Sequence, residues 1–211
     1  MFKKWLLLVI AIIMLSILAA CGPGGMEQDA NVSAADMPDE PSKSDLTAAI
    51  ETDNSNEIDD LVEAHFPLLD VVHGDTYEAE IFATQRFTKQ ELVDLFSSVI
   101  QPENVSEEKD NQQIMVYPDD FVTLKHSEND ENVILIEVAS EEFVRNNYSP
   151  SFLQTYFTYR LLDSFLGNGW SNRRARACQT GDCYGGYTGS GYGTPSRGSG
   201  TFRGGGPGTG K

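Results

Sequence analysis

Four consecutive aliphatic residues, Val133-Ile134-Leu135-Ile136, constrain this chain more than any other feature. Side chains of a strand alternate between two faces, so such a run fits a strand covered on both sides, at the centre of a sheet. Further strands are expected at residues 69–72 and 77–84, joined by His73-Gly74-Asp75-Thr76, and at 113–117 and 121–125 around Pro118-Asp119-Asp120. Helix starts frame them. Asn54 and Glu57 resemble a capping pair ahead of Ile58, Leu61 and Val62. Thr88 and Glu91 form a second one, with Phe87 and Leu92 spaced as a hydrophobic staple. Ser140 precedes Glu141 and Glu142, and Ser149-Pro150 opens a helix expected to run unbroken over 150–166 to Gly167. This order predicts an α+β domain over residues 55–167: a mostly antiparallel sheet of about five strands with helices packed on one face.

Outside that stretch the chain changes character. Met1-Phe2-Lys3-Lys4 and an uncharged apolar run over 5–18 read as a signal peptide (1–20), because a run of fourteen residues falls short of the roughly 20 that span a bilayer. The run closes in Leu18-Ala19-Ala20-Cys21, the pattern of a lipobox, and Cys21 is the expected site of a diacylglyceryl thioether. Two or three acyl chains anchor stably where one does not. Residues 22–60 then hold eleven acids against Lys43, and 21–54 read as an acidic, disordered tether.

The tail inverts the charge. Residues 168–211 carry fourteen glycines, five arginines and Lys211 against Asp182, and read as a disordered Gly/Arg/Tyr-rich segment. The net charge of −17 argues against nucleic acid as a partner of the whole chain. Arg173, Arg174, Arg176, Arg197 and Arg203 are instead candidates for contact with an extracellular polyanion. Cys178 and Cys183 are the expected pair of a small local disulfide in an oxidising compartment.

No H-E-x-x-H, G-x-S-x-G or phosphate-cradling glycine loop is present. His65, His73 and His126 read as edge or surface residues, and Asp119-Asp120 as turn residues. No catalytic residue, metal site or cofactor is assigned; a calcium response at this acid density is expected to lack a defined cage. Aromatics cover more than one stripe of the last helix, so Tyr156 and Tyr159, with Arg145, Asn147 and Tyr148, are candidates for a partner surface.

Phe66-Pro67-Leu68-Leu69-Asp70-Val71-Val72, Val116-Tyr117-Pro118, and Glu142-Phe143-Val144-Arg145-Asn146-Asn147-Tyr148-Ser149-Pro150 followed by a Gly-Trp step resemble a family of small Gram-positive lipoproteins, the domain of unknown function 4247. The resemblance covers roughly residues 55–175 and implies secretion and a single domain, with no activity attached. Together these features point to a lipid-anchored, extracellular module that binds an envelope protein or a teichoic-acid-type polymer. An envelope hydrolase and a small solute-binding lipoprotein are the alternatives.

Overall fold

The computed structural model describes residues 37–74, 76–179 and 183–187. Within them the chain runs α1 (Lys43–Glu51), α2 (Ile58–His65), β1 (Leu68–His73), β2 (Glu78–Thr84), α3 (Lys89–Val99), β3 (Asn104–Val105), β4 (Gln112–Val116), β5 (Asp120–His126), β6 (Ile134–Ser140), α4 (Glu141–Asn147), α5 (Pro150–Leu153), α6 (Tyr159–Leu166) and α7 (Trp170–Ala177). The starts of α3 and α4 follow from their caps. Thr88 Oγ1 accepts from the Glu91 N–H while the Glu91 carboxylate accepts from the Thr88 N–H, a reciprocal capping box. Ser140 Oγ accepts from the Phe143 N–H at 3.2 Å. Asn54 does not cap α2; Glu57 stands at that position without a side-chain bond.

The expected helix over 150–166 is two helices. Thr158 adopts an extended conformation and its hydroxyl accepts from the Leu161 N–H, starting α6 afresh. The break lets Leu153 and Phe157 before it, and Leu162 and Leu166 after it, all reach one core.

The six strands form one open antiparallel sheet in the order β1-β2-β6-β5-β4-β3. The α+β class and the antiparallel sheet match the sequence reading, with β6 at the interior. The sixth strand, β3, lies in the stretch read as an acidic loop; it is only two residues long, Asn104 facing Val116 and Val105 facing Met115.

The helices are not confined to one face. Along β6, Leu135 and Ala139 join a core with α4–α7, whereas Ile134, Ile136 and Val138 join a second core with α1–α3. The same alternation runs through Ile81, Phe82 and Ala83 of β2 and through Ile114, Met115 and Val116 of β4. The unbroken aliphatic run in β6 is thus explained locally: each of its faces meets a helical layer.

Both boundaries of the folded unit also move outward. The acidic segment read as a tether contains α1, whose Leu46 and Ile50 are buried, so the fold begins well before residue 55. Glu40 accepts from the Gln85 N–H at 2.8 Å, and Lys43 pairs with Glu91 at 2.6 Å. At the other end, α7 and Tyr184 to Tyr187 extend the fold beyond residue 167, with Trp170, Tyr184 and Tyr187 buried. Among the described residues no helix is long and apolar enough to cross a membrane.

Candidate functional site

A charged cluster lies under the sheet face that carries α4–α7. Thr123 and Lys125 of β5 and Glu137 of β6 fall on this face by strand alternation, and all three are buried. Glu137 is the centre. Tyr148 donates its hydroxyl to Glu137 Oε1 at 2.7 Å, the Tyr187 N–H donates to Oε2 at 3.2 Å, and the Tyr184 hydroxyl faces the same carboxylate. Burial raises the Glu137 pKa, opposed by the Tyr148 and Tyr184 hydroxyls, the Tyr187 amide and the Lys125 charge. Lys125 donates to the Tyr187 carbonyl and lies 5.8 Å from the centre of its ring; burial lowers its pKa while Glu137 and Glu128 act the other way. The Tyr187 hydroxyl closes the network by donating to Asp70 Oδ2 of β1 at 2.9 Å.

The network clamps the tail to the sheet. Tyr184 exchanges backbone bonds with the segment after α4, donating to the Asn147 carbonyl and accepting from the Ser149 N–H. Gly186 completes the turn at φ +87, where an added Cβ would meet Phe152 at 2.8 Å; only glycine fits. Cys178 and Cys183 are joined by a disulfide across a Cα separation of 5.4 Å, linking the end of α7 to this strap.

Holding the tail here builds a basic concavity beside it. Trp170 donates its indole N–H to the Arg145 carbonyl at 2.9 Å, fixing α7 against α4. Arg174 reaches under the strap, donating to the carbonyls of Tyr148 at 3.0 Å and Asn147 at 2.8 Å. Arg145, Asn146, Trp170, Arg173, Arg174 and Ala177 enclose an open groove of about 270 Å³. Three of its six residues are arginines and none is acidic. Arg145 pairs with Glu141 and Arg173 donates to the Asn168 carbonyl, yet a guanidinium has five N–H donors and both retain others. Arg176 is exposed on the same helix.

The candidate partner residues separate into four groups. Tyr148 is 1% exposed and bonded to Glu137, so it is core and not a contact residue. Asn147 is scaffold: its side chain donates to the Phe143 carbonyl and its own carbonyl accepts from Tyr184 and Arg174. Tyr159 is 41% exposed and remains available, with Tyr156 half-buried along a shallow concavity of about 410 Å³ beside Val105. Arg145 and Arg173 line the groove. Cys21, Arg197 and Arg203 lie outside the described residues.

The histidines are dispersed. His65 bonds Asp53 at 2.8 Å and His73 bonds Glu78 at 2.6 Å, while His126 Nδ1 contacts the Glu131 carbonyl. His126 also lines an open cleft of about 510 Å³ with Asp110, Glu128, Glu131 and Lys125. At the far end of β5, Asp120 is buried; its carboxyl is pushed up to about 7 by burial, then by the carboxylates of Asp59, Asp119, Glu57 and Glu142. The sequence reading places Asp120 in a turn and gives Glu137 and Lys125 no role, although charged residues in register inside strongly apolar strands are the signal that marks them.

No curated protein and no solved structure matches the chain. The family model described as a domain of unknown function (DUF4247) matches residues 46–210, from within α1 through the glycine-rich tail, and the chain belongs to that family.

Proposed function

We propose that the protein is a lipid-anchored module at the outer face of a cell membrane that binds an anionic envelope polymer in the arginine groove between α4 and α7. The lipobox ending in Cys21 supports the anchor. The groove supports the ligand class: Arg145, Arg173 and Arg174 converge in a chain whose net charge is −17. Clustered guanidiniums bind phosphate oxygens through paired N–H donors, and a local positive field draws polyanions in. Arg197 and Arg203 add basic charge along the same end of the sequence.

Titration with a poly(glycerol phosphate) polymer checks the ligand. Binding should weaken steeply between 50 and 500 mM salt, about the range over which screening tightens to a few ångströms. Arg173→Glu with Arg176→Glu should weaken it at least fivefold, and unchanged binding would remove the groove from the account. The anchor has its own test: a fatty-acid label incorporated by the wild type should vanish in Cys21→Ala.

The cleft at His126 favours a second reading, an envelope hydrolase, because it sets an imidazole beside Asp110, Glu128 and Glu131. Its Nδ1 is engaged by the Glu131 carbonyl, leaving Nε2 to act. Release of product from wall or lipid substrates by the wild type, lost in His126→Ala, would select that reading.

A further inference from the structure

The strap at Tyr184 to Tyr187 is held from two sides, and the two holds differ in kind. On the sheet it lies over charge: the Tyr187 N–H donates to Glu137 and the Tyr187 carbonyl accepts from Lys125, both buried. Covering charges is costly, and burial accordingly drives the Glu137 carboxyl up and the Lys125 ammonium down. Lifting the strap returns both groups to water while it exposes the rings of Tyr184 and Tyr187. The docked strap is therefore more narrowly balanced than β5 and β6 beneath it, each of which is hydrogen-bonded to a strand on either side.

The second hold is covalent. Cys183, one residue before Tyr184, is bonded to Cys178 at the end of α7. Both cysteines are half-exposed, neither belongs to a core cluster, and they enclose only Gln179-Thr180-Gly181-Asp182. Closing even so short a loop removes arrangements open to an undocked strap and favours docking by roughly tenfold or more. We infer that the Cys178–Cys183 disulfide is a redox-sensitive latch: oxidised, it keeps the strap seated on Glu137 and Lys125; reduced, it lets residues 183–187 lift while the sheet stays folded. A dithiol reductant opens it by thiol–disulfide exchange. One thiolate attacks a cysteine sulfur and breaks the Sγ–Sγ bond, and the second thiol resolves the mixed disulfide. Two electrons and two protons pass to Cys178 and Cys183, and the reductant leaves as its own disulfide. Release reaches the arginine groove through one atom. The Asn147 carbonyl accepts from both the Tyr184 N–H and Arg174, each at 2.8 Å, so strap and groove share an anchor.

Amide hydrogen exchange of the full-length protein in detergent, with dithiothreitol as the reductant, tests the latch. Reduction should speed exchange in the peptide carrying Tyr184 and Tyr187 at least tenfold and leave β6 unchanged. Cys178→Ser with Cys183→Ser should exchange like the reduced wild type and show no response to dithiothreitol. Equal strap exchange in the oxidised and reduced protein would overturn the latch. Equal acceleration in β6 would overturn it too, by making the disulfide a brace for the whole fold. The effect on the groove rests on the polymer reading: reduction should weaken poly(glycerol phosphate) binding at least threefold, and unchanged binding beside a loosened strap would sever the link between them. Exchange is read without polymer, so an oxidised protein that binds none removes the polymer reading and leaves the latch to be judged by exchange alone.

Discussion

Tyr148 shows how one side chain serves both halves of this fold. Its ring packs edge-on against Phe143 at 6.1 Å and Tyr184 at 4.9 Å, while its hydroxyl satisfies one oxygen of a carboxylate that water cannot reach. Removing a donor from a buried charged acceptor costs about 1–3 kcal/mol. Tyr148→Phe should therefore lower the urea midpoint by an amount corresponding to roughly 2 kcal/mol. Tyr156→Phe, which loses only a 3.5 Å contact to the Lys109 carbonyl, should leave the midpoint nearly unchanged. The sequence presents these two tyrosines as equivalent, both aromatic and both near the last helices. Only the tertiary pairing of β6 with the tail distinguishes them, because the partner, Glu137, is supplied by a different element.

Among the elements, α1 carries the largest departure from the sequence reading. Its mean composition is that of a solvated leader, with Asp45 and Glu51 flanking two apolar residues, yet Ser42 caps it through the Asp45 N–H and both apolar residues are buried. Leu46 and Ile50 are four apart, one helical turn, and so fall on one face. Two residues give too weak a periodicity to stand out from a tether, although they are enough to dock a short helix against α2 and α3. Ile50→Ala should consequently destabilise the domain by about 2–5 kcal/mol, as a fully buried truncation does, measured by denaturant unfolding. If residues before 55 were a solvated leader, the same change would cost nothing. The elements with strong local signals were legible: α3 from its capping box, β6 from its aliphatic run, α4 from Ser140. Those fixed by distant partners were not. The two-residue β3, the break at Thr158 and the strap at Tyr184 to Tyr187 each depend on what they pack against rather than on their own pattern.

At the scale of the whole molecule, the helical layer α1–α3 and the layer that carries the arginine groove cover opposite faces of one sheet. The face bearing α1–α3 is tied together by carboxylates whose protons are held off. Lys43 and the Thr88 amide keep Glu91 down to about 2, and the side chain and amide of Ser55, with His65, keep Asp53 there too. A carboxylate depressed in the folded state stabilises it fully above its unfolded pKa near 4, and that contribution is lost as the pH falls toward 2. The stability difference between wild type and Glu91→Gln should accordingly be constant above pH 5 and shrink between pH 4 and 2, as read from thermal unfolding across that range. Glu80 and Glu137 shift the other way, chiefly through burial, so they do not produce this acid-side loss. Docking of α1 has a last consequence for the proposed anchor at Cys21. Only fifteen residues, 22–36, separate that cysteine from the first described residue, Met37. Even drawn out straight they reach about 50 Å, less than half of what a leash running to residue 54 would allow. On the proposed anchoring, a polymer held in the groove lies no farther from the lipid than that reach plus the width of the domain, which favours chains that grow from the bilayer over those in the outer wall.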